Sequence, residues 1–307
     1  GTATVGGWTL GDAVGSNTLV ASVQTAGVSV GSVTFTATGT AGAASTMTAS
    51  AGQNQTAAAS TAVATAPSVV VRDARGNAVA GVAVTFTVGS GGGTVVGGTA
   101  TTNASGIAAV TSWTLGGSGG TQTLIASSGT LPAVTFTATA TAGAAARLLG
   151  FSSQTQSGIV AGAALTVSQR PAVRVTDAEG NPVTGAVVTF RVAQDGSSGY
   201  LTSSDTIATA STNANGIASV GAWTMPTTSG TSATAIASIS GVAETVTFTV
   251  TTTAGAVSRL RITAGGLSTL STTAGATAST ITITALDANN NTVTSYGGAK
   301  SLTFSGA

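Results

Sequence analysis

Apolar residues fall on every second position of Val82-Ala-Val-Thr-Phe-Thr-Val88, with Ala or Thr between them. That is the period of a strand with one buried and one wet face. The stretch follows a turn, Asp73-Ala-Arg-Gly-Asn77. Both return 104 residues later as Asp177-Ala-Glu-Gly-Asn181 and Ala186-Val-Val-Thr-Phe-Arg-Val192. A weaker third copy reads Asp287-Ala-Asn-Asn-Asn291, then Ser301-Leu-Thr-Phe304. In the turn, the Asp side chain is expected to accept bonds from backbone amides two or three residues on, with Gly76 supplying the positive-φ residue. Asn290 or Asn291 takes that task in the third copy, Asn being the next residue best able to.

Three further anchors recur. One is Trp8-Thr-Leu10, Trp113-Thr-Leu115 and Trp223-Thr-Met225. A second is Val-Thr-Phe-Thr at 33–36, 134–137 and 246–249, and a third is Thr-Ala-Gly-Ala at 40–43, 141–144 and 253–256. Each Trp shares strand parity with its Leu or Met, which predicts one large ring anchoring each core. Phe35 to Gly42, Phe136 to Gly143 and Phe248 to Gly255 are all seven residues apart, a constrained spacing among variable loops. Gly42 to Gly143 is 101 residues and Gly143 to Gly255 is 112, so each repeat is one domain of ordinary size.

Within a repeat, short strands are separated by turn chemistry. In the first complete unit they are expected near 45–49, 67–73, 82–88, 98–102, 107–115, 121–127 and 133–139. In the second they are expected near 147–151, 171–177, 186–192, 207–212, 217–225, 232–239 and 244–251. No segment of either unit carries a convincing 3.6 period. Many short strands with frequent turns predict an all-β fold of tandem immunoglobulin-like β-sandwiches, and the short junctions predict an elongated, semi-rigid rod.

Gly1 aligns with Gly106 and Gly216, each seven residues before its Trp, and Ala307 aligns with Gly89 and Ala193. The expected organisation is a back half-domain at 1–41, complete domains at 42–141 and 142–255, and a variant front half at 256–307. The halves are expected to be completed by the rest of a longer chain or, head to tail, by another copy. Gly1-Thr-Ala-Thr-Val5 lacks the charge and apolar core of a signal peptide.

The run from Val69 through Phe86, with Thr102-Asn-Ala-Ser-Gly-Ile-Ala108, resembles the group 1 bacterial immunoglobulin-like domain of invasin- and intimin-type surface proteins. Val173 to Phe190, with Thr212 to Ala218, is the closer match. The likeness covers both complete units and fits 1–41, whereas 256–307 departs through a longer second turn. The resemblance implies a tandem segment of an extracellular bacterial protein, often a stalk beneath a binding tip, and brings no catalytic residues.

Composition narrows the chemistry. Charged residues are 6% of the 307 and the net charge is +1, so neither a nucleic-acid groove nor an anionic membrane surface is an expected partner. No run reaches the ~18 apolar residues a membrane helix needs, so membrane insertion is not expected either. Without His or Cys, a Ser-His-Asp triad, a Cys-His pair, a disulfide and a His or Cys metal site are all excluded. Asp177 and Glu179 are the closest acidic pair, but Asp177 already has a turn to hold. Asp195 and Asp205 flank a Gly/Ser-rich loop. A Lys–Asn isopeptide staple would need a Lys in each domain, and Lys300 is the only one in the chain. The Asn-x-Ser/Thr matches at Asn54, Asn103 and Asn290 are short enough to be chance. No catalytic, metal or cofactor residue is therefore expected.

The expected function is structural: a stalk or fibre segment whose partners are neighbouring repeats or copies of itself. The alternative is an adhesin module that meets a surface ligand through loops 89–98 or 193–205, where Tyr200 is the one loop aromatic.

Overall fold

The computed structural model describes residues 1–202, 204–264 and 280–297. It divides into two compact units, Gly1–Ala142 and Gly143–Ala307. The third copy of the opening strand, Ser301 to Phe304, and Lys300 lie outside the described residues.

The first unit begins with a hairpin of β1 (Gly15–Thr25) and β2 (Val28–Gly39). A sandwich follows: β3 (Ala44–Ala51), β4 (Gln55–Ala58), β5 (Ser68–Asp73), β6 (Ala83–Ser90), β7 (Gly93–Val96) and β8 (Thr99–Thr101), then β9 (Ile107–Ala109), β10 (Ser112–Leu115), β11 (Gly120–Ser127) and β12 (Val134–Thr141). One sheet has the order β4-β12-β11-β6-β8; facing it is β3-β5-β9, with β10 and β7 as a separate pair. β4 runs parallel to β12, while β3 runs antiparallel to β5. A first strand divided between two sheets, followed by antiparallel pairing, is an immunoglobulin-like sandwich.

The second unit repeats this order with β13 (Arg147–Gly150), β14 (Thr155–Val160), β15 (Ala172–Thr176), β16 (Val187–Val192), β17 (Ile207–Ser211), β18 (Ile217–Ser219), β19 (Ser232–Ile239) and β20 (Val246–Thr253). Its sheets are β14-β20-β19-β16-β17 and β13-β15-β18, and β21 (Arg259–Ala264) pairs with β22 (Ile281–Leu286) beyond them. The described residues contain no α-helix, only a 3₁₀ turn at Val167–Gln169.

The alternation read from the sequence is the core. Val84 and Phe86 are buried, as are Val188 and Phe190. Trp113 and Trp223 are fully buried, with Leu115 and Met225 beside them. Two expectations are corrected. The single strand foreseen at 107–115 is two, because the chain changes sheets: the Val110 N–H donates to Pro67 O, and the Thr111 N–H donates to Val96 O. The run foreseen at 217–225 breaks likewise after Ser219. β4, β7 and β14 were not foreseen at all.

The loops around the Trp residues have structural occupants. Loop 89–98 is largely strand, since β6 runs to Ser90 and β7 pairs with β10. In loop 193–205, Tyr200 bridges to Thr224, Leu201 is buried, and the Trp223 Nε1–H donates to Ser198 O at 2.8 Å. Gly93 and Gly199 both have positive φ, and a Cβ there would collide with the Thr114 or Thr224 carbonyl. The glycines of these loops thus let the backbone pass over the strand that carries the Trp.

Candidate functional site: the repeat junction

One polar cluster recurs with the same atoms at all three Asp turns. The Asp73 carboxylate accepts four hydrogen bonds. Its Oδ1 takes the N–H groups of Arg75 (2.9 Å) and Asn77 (2.8 Å). Its Oδ2 takes the Gly42 N–H (2.9 Å) and the Asn77 amide Nδ2–H (3.0 Å). Asp177 does the same with Glu179, Asn181, Gly143 and the Asn181 amide. Asp287 does so with Asn289, Asn291, Gly255 and the Asn291 amide. All three carboxylates are buried. The amides are two and four residues on, not two or three as expected. Gly76, Gly180 and Asn290 carry the positive φ.

The far donor explains the constrained spacing. Gly42, Gly143 and Gly255 are the Thr-Ala-Gly-Ala glycines, and each is held by the Asp turn that lies 31, 34 or 32 residues further on. The cluster clamps the entry of a repeat to its first long turn. A carboxylate with several N–H donors favours its charged form. Asp73 is held down to about 2, chiefly by the Gly42 N–H and the Asn77 amide, against burial. At Asp177 burial pushes up, but the Asn181 amide and the Gly143, Asn181 and Glu179 N–H groups outweigh it. Asp287 is lowered by the Asn291 amide, against burial, with help from the Gly255, Asn291 and Asn289 N–H groups.

A folded-state value below the unfolded one gives stability that is present above the unfolded value and lost as pH falls through the folded one. Melting temperatures measured against pH should hold level down to about pH 4.5, then fall steeply toward the Asp73 value of about 2. The Asp73→Asn chain should show a shallower fall; equal slopes would contradict this role.

The other acidic residues singled out in the sequence make local bonds. Glu179 is exposed and joins the cluster only through its backbone N–H. Asp195 accepts from Ser197, which lowers its pKa, and Asp205 accepts from Thr202. The Asn103 side chain accepts from the Ser105 and Ile107 N–H groups, so it is a turn residue. No group of three or more His, Cys, Asp or Glu is placed to hold a metal among the described residues. No helix of the described residues is long and apolar enough to cross a membrane.

Two apolar faces are open. Phe35 on β2 is 53% exposed, whereas its counterparts Phe136 and Phe248 are buried. Val20, Val23, Val30 and Val33 share that exposure; Val23, Val30 and Val33 line one groove with Phe35, and Val20 lines a second. Leu260, five residues past its junction glycine, is 43% exposed, whereas Met47 and Leu148 at the same offset are buried. In the sequence the clamp is marked by the seven-residue spacing, which does not name its acceptor.

No family model and no curated protein matches the sequence. Among solved structures the chain is similar to FdeC, an Escherichia coli adhesin, with TM-score 0.45 and 18% identity over 76% of this chain and 74% of that one. It is similar to invasin, a bacterial integrin-binding protein, with TM-score 0.37 and 22% identity over 82% of this chain and 49% of that one. It is also similar to domains 5–6 of the S-layer protein SbsC, with TM-score 0.26 and 16% identity over 69% of this chain and 99% of that one. All three fall below 25% identity and none carries a ligand or partner across, but the likeness to invasin-type immunoglobulin-like domains expected from the sequence is met among solved structures.

Proposed function

We propose that this chain is a structural repeat segment, a stalk or fibre portion, of a large extracellular bacterial surface protein, and not an enzyme. One observation carries the reading: what recurs at Gly42–Asp73, Gly143–Asp177 and Gly255–Asp287 is the clamp at the entry to each repeat. The loops that would form a binding tip differ between repeats and are taken up in packing around the Trp. The repeat limits are 1–41, 42–141, 142–255 and 256–307. Junctions of a few residues leave little room to pivot, and the expected solution form is a semi-rigid rod. Small-angle scattering of the 307-residue chain should give an extended particle with a defined cross-section. A profile of freely jointed beads would sink the stalk reading.

A second reading is favoured by the exposed Phe35 and Leu260 faces. In this reading they serve as the two inner faces of one sandwich, and copies join head to tail, a heterologous contact that propagates into a filament. Light scattering should then show mass rising with concentration, and Phe35→Asp should abolish the rise. A chain that stays monomeric at high concentration removes the filament reading and leaves the stalk intact.

A further inference from the structure

The Asn that closes each clamp also reaches out of it. Asn77 Nδ2 donates to Asp12 O at 2.8 Å, and Asn77 Oδ1 accepts the Val14 N–H at 3.2 Å. Asn291 Nδ2 donates to Thr227 O at 2.8 Å, and Asn291 Oδ1 accepts the Ser229 N–H at 2.8 Å. Asp12 and Thr227 each stand four residues past a Trp, and Val14 and Ser229 stand six past it. The same amide meets the same two backbone groups in both units, although Asp12-Ala-Val14 and Thr227-Thr-Ser229 share no residue. What differs is incidental. Arg75 pairs with the Asp12 carboxylate on an exposed surface, whereas Asn289 Nδ2 donates to Ala161 O.

The loop that follows each Trp is held in shape from within its own repeat. The Gly11 N–H donates to Asn17 Oδ1, and the Gly116 N–H donates to Gln122 Oε1. Gly11 and Gly116 each stand three past a Trp, and Asn17 and Gln122 nine past it. Gln122 Nε2 also donates to Ser118 O, five past Trp113. At the equivalent carbonyl, Thr228 O, the hydroxyls of Thr252 and Thr231 donate instead. Different side chains thus fix one backbone shape, and a preformed backbone pair is what a planar amide can read with both ends.

We infer that the Asp-turn Asn is a plug and that its partner is the loop four to six residues past the Trp of a preceding repeat. The plug recognises that loop by its backbone alone and fixes the angle between joined repeats. This goes beyond the stalk reading, because it assigns the contact surface and makes it indifferent to loop sequence.

The chain has no Cys, so spin labels at Thr25→Cys and Thr130→Cys report the distance between residues 1–41 and 42–141 without interference. The parent chain should give one narrow distance by pulsed electron resonance. Asn77→Ala should lose it and give a broad distribution. Val14→Pro removes the N–H that Asn77 accepts while leaving the turn untouched, and should broaden the distance in the same way with an unchanged melting temperature for Gly1–Ala142. The triple change D12T, A13T and V14S installs the side chains of the other loop. It should keep the narrow distance, because the lost Arg75 contact is an exposed pair of small worth. If Val14→Pro keeps the narrow distance, the plug is overturned. If the triple change broadens it, backbone-only recognition is overturned. Small-angle scattering reports the rod separately, so a failed plug and a failed stalk are told apart.

Discussion

Trp223→Ala should cost about 3–5 kcal/mol and strip the second sandwich of its largest core residue. The ring is fully buried among β15, β16, β19 and β20 side chains such as Val175, Phe190 and Phe248. Its Nε1–H also ties down the 193–205 loop through Ser198 O. Alanine therefore leaves a cavity and an unpaired carbonyl together. The two compact units are expected to unfold as separate transitions. Calorimetry should then show one transition displaced and the other, from Gly1–Ala142, unmoved. Phenylalanine separates the two losses. Trp113 Nε1 is buried without a hydrogen-bond partner among the described residues, whereas Trp223 Nε1 has one. Trp113→Phe should therefore be milder than Trp223→Phe, by about 1 kcal/mol for the carbonyl left behind. Equal costs would mean that the indole bond contributes nothing.

The Trp also shows what the sequence made plain and what it hid. The alternation Val84, Phe86 and its counterpart Val188, Phe190 named both buried faces, because each strand covers one core and faces water on the other side. The break inside 107–115 is written in the parity of its apolar residues. Ala108 and Val110 are buried on one parity and Trp113 and Leu115 on the other, which a single strand cannot satisfy. Val220 and Trp223 show the same slip. β4 and β14 had no such signal. Gln55-Thr-Ala-Ala58 and Thr155-Gln-Ser-Gly158 pair at a sheet edge, and neither alternates. The contacts of Asn77 and Asn291 were beyond reach for a deeper reason. Their partner is a carbonyl and an N–H, and every residue but proline owns both.

The clamp draws its donors from along the chain, and its acceptor is one side chain. Asp177→Ala should leave the Gly143, Glu179 and Asn181 N–H groups and the Asn181 amide without their acceptor. Losing charge-assisted bonds at a buried site should cost about 3 kcal/mol or more. For a unit of this size, about 3 kcal/mol is a fall of about 6–12 °C in the melting of the second unit. Asp177→Asn should lie between the two. Its carbonyl can still accept at the Oδ1 position, but its NH₂ would then face the Gly143 N–H and the Asn181 amide, donor against donor. Gly143→Ala is the control: a Cβ there would meet Asp177 no closer than 3.7 Å, which is ordinary contact, and its N–H remains. If Gly143→Ala were as damaging as Asp177→Ala, the glycine would be required for its size and not for the bond it donates. If Asp177→Ala were as mild as Gly143→Ala, the clamp would be a crossing of convenient neighbours rather than what holds each repeat to its entry.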